Sequence, residues 1–282
     1  MSEVAVTRPV GRVELDANDV LKQAWQLYKR LFGRSILLGA LVLGSLHFLQ
    51  AVAAFGRHGV VVSLLAVVFG VGGVSLLQGG LVEVVRGLHL DGSDDASLGE
   101  VLARAGGRLG RLIAVSLLTG LGVGFGLLLL VVPGLVLMTR WALAVPVAML
   151  EPGSARGALS RSRELVRGNG WSVFKVLFVV GLLTLLVQIP FGIAAAGSGP
   201  FGWWLAVTTA SALTAPYAAH ALTVVYYELV EPGRPVVLEP GTRWQSIWDE
   251  HDDEPADGLS EPARKAWAEH EARFDERERR GG

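Results

Sequence analysis

The sequence of 282 residues contains no cysteine, and only 18% of its residues are charged. The absence of cysteine excludes disulfide bonds, thiolate catalysis, zinc–thiolate sites and iron–sulfur clusters. A soluble globular domain usually carries about 25% charged residues, so the low charge argues against an ordinary soluble protein. Apolar side chains take the place of charged ones and make up 51% of the chain.

The apolar residues lie in six blocks, each close to the length of a membrane span. A helix needs about 20 apolar residues to cross roughly 30 Å of hydrocarbon. We therefore predict an all-α polytopic membrane protein with an N-terminal segment (1–34), a membrane domain (35–229) and a C-terminal tail (230–282). The predicted transmembrane helices cover residues 35–55, 59–84, 110–132, 134–150, 172–196 and 201–229.

The third and fourth blocks form one apolar tract that is interrupted by Pro133-Gly134. Because proline ends the backbone hydrogen-bond ladder and glycine permits a turn, this dipeptide predicts a tight turn between two antiparallel spans. The six spans would then form three transmembrane hairpins.

Basic residues lie almost entirely on one side of these hairpins. Of the 25 Lys and Arg residues, 22 fall in the N-terminal segment, the two connections between hairpins and the tail, whereas Arg57 alone falls in an opposite turn. Since cytoplasmic loops carry the excess of Lys and Arg, we expect a bacterial inner (plasma) membrane protein with both termini in the cytoplasm.

A short basic and amphipathic stretch precedes each hairpin, so the chain is interpreted as three similar units. The first stretch follows Asp16, which can cap a helix, and it has a broad apolar face. Such helices lie in the membrane interface and direct basic side chains toward anionic lipid head groups. The residues assigned to this role are Lys29, Arg30, Arg34, Arg104, Arg108, Arg161, Arg163 and Arg167.

The C-terminal tail differs in composition from the membrane domain. It carries 14 acidic and eight basic residues, which gives it a net charge of −6 against +5 for the rest of the chain. Ser260-Glu261-Pro262 is typical of a helix start, and acid–base pairs at i,i+4 follow it. A helix over 260–280 could dock a protein partner, but a solvated tail is the favoured interpretation.

Arg140 lies near the middle of the fourth predicted span. A lone arginine at this depth is costly, so its side chain is expected to face the protein interior or a wet cavity. It could be the counter-ion of an anionic lipid head group or substrate. Alternatively it pairs inside the protein and fixes the packing, with Glu83, Gln188 and Glu228 as the available partners.

The other polar or glycine-rich motifs do not define a catalytic or metal site. The segment 120–126 has a glycine at every second position, but without a strand–turn–helix context it predicts close helix packing and no nucleotide site. His47 and His220 lie within spans and lack an acidic third ligand. His220 could relay a proton or contact a ligand, but a hydrogen-bonded core histidine is favoured. We expect no cofactor, metal or nucleic-acid partner.

Part of the chain carries a residue pattern that resembles a known membrane domain. The pattern consists of Pro133-Gly134, Arg140-Trp141, Pro146, Glu151, Ala158-Leu159, Ser162, Leu165, Gly168, Trp171, Phe174 and Tyr226-Tyr227-Glu228-Leu229. In these residues the chain resembles the membrane domain that is fused to some bacterial glycerophosphoryl diester phosphodiesterases. The resemblance implies a six-span bundle and a link to glycerophospholipids. It does not extend to the soluble phosphodiesterase barrel, so that activity is not expected.

These patterns predict a non-enzymatic integral membrane protein that associates with membrane lipids or serves as a scaffold in envelope maintenance. The alternative is a transporter or channel for a small solute or lipid, which predicts a continuous polar cavity beside Arg140. An enzyme would need a convergent set of acids, bases or metal ligands, for which His220, Tyr227 and Glu228 are the candidates.

Overall fold

The computed structural model describes residues 15–55, 60–91 and 97–231, and within these ranges it contains helices and no β-strand. The predicted features of residues 1–14 and 56–59, and of the tail beyond 231 with its helix over 260–280, lie outside the described residues. The ten helices are α1 (Ala17–Arg30), α2 (Phe32–Phe55), α3 (Val60–Asp91), α4 (Leu98–Gly106), α5 (Leu109–Leu129), α6 (Val131–Arg140), α7 (Ala144–Leu150), α8 (Ala155–Val166), α9 (Gly170–Ala195) and α10 (Gly199–Val230).

Five stretches of the described chain are long and apolar enough to cross a membrane. Each overlaps one of the first five predicted spans, which confirms the all-α fold class and a multi-pass membrane protein. The stretches are Phe32–Ala53, Leu65–His89, Leu109–Leu129, Val131–Leu150 and Gly170–Ala195.

The sixth predicted span lies in α10, which is not among these five stretches. With 32 residues, α10 is roughly 48 Å long at 1.5 Å per residue, so its length is sufficient. Its hydropathy is lowered by polar side chains that are buried against other helices, among them Thr208, Thr214 and His220. Five helical stretches rather than six therefore meet both the length and the hydropathy criteria.

α10 packs antiparallel to α2, one of the five apolar stretches. Near the start of α2, the Ser35 hydroxyl lies 3.1 Å from Nε2 of His220. Further along α2, the Trp204 indole donates to the Gly44 carbonyl at 2.8 Å. These contacts place α10 at the same depth as a helix of membrane-span length.

The hairpin between α5 and α6 turns at Leu130 and not at the predicted Pro133-Gly134. Leu130 has extended backbone angles and caps both helices. Pro133 therefore falls in the first turn of α6, where backbone N–H groups have no intrahelical acceptor and proline is tolerated. Gly134 permits close helix packing, because a Cβ atom there would lie 2.5 Å from the Leu127 side chain.

The glycine-rich segment of α5 packs as predicted at only one of its two glycine pairs. Gly122 lies against Trp141, and Gly126 lies against the first turn of α6. An added Cβ at Gly120 or Gly124 would have no neighbour within 4 Å. This second pair therefore lies on the outer face of the hairpin.

The short helices α1, α4 and α8 form where the sequence predicts amphipathic stretches. Asp16 caps α1 by accepting a hydrogen bond from the Asn18 amide at 2.8 Å. The apolar face of α1 packs mainly on the bundle, since Ala24 and Leu27 are fully buried. Trp25 is half exposed and remains available to lipid. α1 is thus attached to the bundle through its apolar face, while part of its aromatic surface stays exposed.

Candidate functional site

The fourth membrane-spanning stretch is broken in the middle, and α8 covers the break. α6 ends at Arg140, residues 141–143 form a turn, and α7 continues the span. The fully buried Ser162 of α8 donates a hydrogen bond to the Arg140 carbonyl at 2.9 Å and accepts one from the Leu143 amide at 3.1 Å. Because unsatisfied backbone groups are costly in a membrane, these two bonds hold α8 against the break.

Beside the break lies an open groove of about 680 Å³ between α6, α8 and the start of α9. We call it the arginine groove, because Arg140, Arg163 and Arg167 line it together. Its walls combine this positive charge with apolar surface. The other side chains that line it are Val132, Leu135, Val136, Thr139, Val166, Trp171 and Phe174.

Helix geometry brings the basic residues of α8 and the aromatic residues of α9 to the same groove. Arg163 lies in the last turn of α8, and Arg167 is the residue that caps the end of this helix, so both lie at the same end of α8. Gly168 follows with a φ of 94°, a left-handed conformation that glycine adopts without steric cost. The chain reverses there, and α9 returns Trp171 and Phe174 to the groove.

The side chains of Arg140, Arg163 and Arg167 make no hydrogen bond or ion pair with any residue in the described ranges. Two nearby arginines differ in this respect. Arg161 lies 3.4 Å from Glu151, and Arg104 lies 3.1 Å from Glu83. Within the described chain, the positive charge of the arginine groove is therefore not compensated by protein groups.

Of the two surroundings expected for Arg140, the protein interior or a wet cavity, the structure places its side chain on the open arginine groove, where it is exposed. It lies ten residues after the turn at Leu130 and eleven before Glu151, which is about 15 Å from either end along a helix. Since Ser162 contacts the Arg140 backbone, α8 reaches this same level. The arginine groove therefore extends from the ends of the helices toward the middle of the bundle.

Glu83, one predicted partner of Arg140, contacts other arginines. Its carboxylate is only 3% exposed and accepts hydrogen bonds from Arg86 at 2.5 Å and from Arg104 at 3.1 Å. This cluster links α3 to α4. Glu83 therefore stabilises the junction of two helices and is not the counter-ion of Arg140.

The other two predicted partners of Arg140 also contact different residues. Glu228, near the end of α10, accepts a hydrogen bond from the Gln23 amide of α1 at 2.7 Å. The Gln188 amide of α9 lies 3.4 Å from the Ser211 hydroxyl of α10. The internal pairing that the sequence left open for Arg140 is therefore absent from the described residues.

The structure does not bring the candidate catalytic residues to one cleft. His220 is fully buried and contacts Ser35. The Tyr227 ring packs on His89 with centroids 4.1 Å apart, while Glu228 binds α1. Within the described ranges, no group of three or more His, Asp and Glu residues could hold a metal ion.

Several residues predicted to contact lipid head groups bind protein groups instead. Arg104 and Arg161 pair with carboxylates, and Arg108 donates to the Met149 carbonyl. Lys29 and Arg30 are exposed at the end of α1. Basic side chains in these stretches therefore divide between attachment of the short helices and contact with the surroundings.

The sequence did not assign roles to Ser162 or Trp171. A tryptophan one or two residues into a membrane-spanning helix is a known signal of head-group depth, and this signal could have placed Trp171 beside the basic residues of α8. Nothing in the neighbouring sequence identifies Ser162 as the residue that caps a broken helix.

No family model, curated protein or solved structure matches the chain, so its function is inferred from the residues of the arginine groove.

Proposed function

We propose that the protein is a non-enzymatic, lipid-associated protein of the inner membrane that holds the phosphate of an anionic phospholipid in the arginine groove. The observation that carries this proposal is the meeting of Arg140, Arg163 and Arg167 in one groove without an acidic partner among the described residues.

A lipid phosphate complements the positive charge of this groove, and its acyl chains complement the apolar walls. A guanidinium group binds phosphate oxygens through two parallel hydrogen bonds. Charged side chains at membrane depth require a partner or water, and a phosphate supplies the partner. The apolar wall formed by Val132, Val136 and Phe174 offers a surface along which acyl chains can pack.

The topology that goes with this proposal has six spans and both termini in the cytoplasm. The antiparallel packing of α10 on α2 supports a sixth crossing by α10, despite its lower hydropathy. The excess of basic residues on one side of the hairpins supports a cytoplasmic position for α1, α4 and α8. The arginine groove then opens in the cytoplasmic half of the bilayer.

Two further considerations support lipid association over transport. The resemblance to the membrane domain of bacterial glycerophosphoryl diester phosphodiesterases links the chain to glycerophospholipids, consistent with a role as a scaffold in envelope maintenance. A transporter would need a continuous polar cavity beside Arg140. The arginine groove shares no lining residue with the cavity that lies between α2, α3, α9 and α10.

Native mass spectrometry of the purified full chain tests this proposal. We expect the wild-type protein to retain an anionic phospholipid, and the triple variant Arg140→Gln, Arg163→Gln, Arg167→Gln to lose it. Arg156→Gln is the matched control, because Arg156 is an exposed arginine of α8 outside the arginine groove. Equal retention by the wild type and the triple variant would overturn the proposal.

A further inference from the structure

A second cavity lies in the bundle interior and has a different chemical character. Its volume is about 380 Å³, and α2, α3, α9, α10 and the region around α7 line it. Its lining contains no lysine, arginine, aspartate or glutamate. We call it the central cavity.

The polar groups of the central cavity are amides, an imidazole and hydroxyls. Gln78 of α3 has no hydrogen-bond partner among the described residues. The Gln188 amide reaches Ser211 only at 3.4 Å, and Nδ1 of His47 lies 3.3 Å from the Thr208 hydroxyl. Three helices therefore each contribute a polar side chain to the cavity, and the protein does not use all the hydrogen-bonding atoms of these side chains.

These groups lie far from the ends of the apolar helices that carry them. Gln188 is seven residues from the end of α9, which is roughly 10 Å. Gln78 is eleven residues from the end of the apolar stretch Leu65–His89, which is roughly 16 Å. Polar side chains at such depth are costly unless they bind something, and an ion would lack a counter-charge here.

We propose that the central cavity binds an uncharged amphiphile, whose carbonyl or hydroxyl oxygens accept hydrogen bonds from Gln78 and Gln188. The volume falls in the range of ligand pockets, about 300–1,000 Å³, and equals the space of about a dozen water molecules at ~30 Å³ each. The apolar remainder of the lining, including Leu77, Leu81 and Leu222, suits a hydrocarbon body. Two classes of molecule have these chemical properties, a neutral glycerolipid and a quinone.

Thermal unfolding of the full chain in dodecylmaltoside micelles tests the proposal with two probes. One is dioctanoylglycerol, which has a hydroxyl and ester carbonyls, and the other is a decyl-substituted benzoquinone, which has ring carbonyls alone. A probe present at ten times its Kd raises the unfolding midpoint of a chain of 282 residues by about 2–3 °C. We expect one probe or both to do so, and the responding probe identifies the class of molecule.

The same titration on variants assigns the effect to the central cavity. Gln78→Leu and Gln188→Leu remove the amides while keeping a similar volume, so the midpoint shift should fall by more than half. Gln50→Leu is the matched control, because Gln50 lies on α2 near Gly70 and does not line the cavity. An unchanged wild-type midpoint with both probes would mean that the cavity holds water only, and equal shifts in all variants would mean that the probe binds elsewhere on the protein. Either result would overturn the proposal.

A measurement on the wild-type chain covers the case in which a cavity variant fails to fold. A dioctanoylglycerol and a benzoquinone that carry a diazirine group should cross-link to peptides of α3 or α9 that line the cavity. Cross-links confined to lipid-exposed positions such as Leu128 and Phe125 would contradict binding inside the bundle. This result does not depend on the arginine groove, so the two proposals can fail separately.

Discussion

The Ser162 hydroxyl donates a hydrogen bond to the backbone carbonyl of Arg140 at 2.9 Å. This contact joins α8 to the end of α6, and it also fixes the relative position of Arg140 and Arg163, the residue after Ser162. The arginine groove therefore depends on an uncharged serine that is not among the residues lining it.

Substitution Ser162→Ala should destabilise the protein by about 1–3 kcal/mol, because it leaves the Arg140 carbonyl and the buried Leu143 amide without their partner. Reversible unfolding in mixed micelles measures this change. Ser160→Ala is the matched control, since Ser160 lies exposed on the same helix. Equal stability of the two variants would show that the break in the span does not need this hydroxyl.

Substitution Gly134→Ala should lower the free energy of unfolding by about 1–3 kcal/mol through overpacking. A Cβ atom at Gly134 would lie 2.6 Å from the backbone nitrogen of Leu127, so α5 and α6 would have to separate. Gly124→Ala serves as the control, because that position faces open space and alanine favours helix. If both variants unfold like the wild type, the close contact between these helices is not important for stability.

Removal of the Glu83 carboxylate should be among the most damaging single changes in the described chain. Glu83→Gln removes the carboxylate shared by Arg86 and Arg104, whose side chains are 32% and 46% exposed, so the expected loss is that of hydrogen bonds to a charged group, about 1.5–3 kcal/mol. Glu164→Gln is the comparison, because Glu164 is 55% exposed and lies 3.7 Å from Arg161, where such pairs contribute about 0–1 kcal/mol. A similar loss of stability in both variants would argue against the structural role of Glu83.

Single-cysteine labelling tests the topology directly, since the natural chain has no cysteine. A membrane-impermeant maleimide should label Ser198→Cys in intact cells. It should label Ser154→Cys and Glu231→Cys only after permeabilisation, because α10 returns the chain to the cytoplasm. Labelling of Glu231→Cys in intact cells would show that α10 does not cross the membrane.

The apolar blocks predicted the membrane-spanning helices well because a span must be continuous in sequence. The turn was placed incorrectly because Pro133 is tolerated in the first turn of α6, so the strongest local signal did not mark the actual turn at Leu130. The break after Arg140 has no proline or glycine within Trp141, Ala142 and Leu143. It depends on Ser162, which is distant in sequence.

The same limit applies to the candidate site. Arg140 was identified from its position in an apolar span, and Arg163 and Arg167 from their basic helix. Their meeting in one groove depends on how α8 packs against α6, which no local pattern encodes. The predicted partners Glu83 and Glu228 are the acidic residues within the predicted spans, but tertiary packing gives each of them a different contact.

The central claim, that the arginine groove binds a lipid phosphate, is tested most directly by calorimetric titration with dihexanoyl phosphatidylglycerol and dihexanoyl phosphatidylcholine. The two lipids have equal acyl chains and differ in net head-group charge. We predict tighter binding of the phosphatidylglycerol by the wild type and by Arg156→Gln. Each of the substitutions Arg140→Gln, Arg163→Gln and Arg167→Gln should weaken it about tenfold, equivalent to about 1.4 kcal/mol. Equal affinity for both lipids, unchanged in the triple variant, would contradict the account.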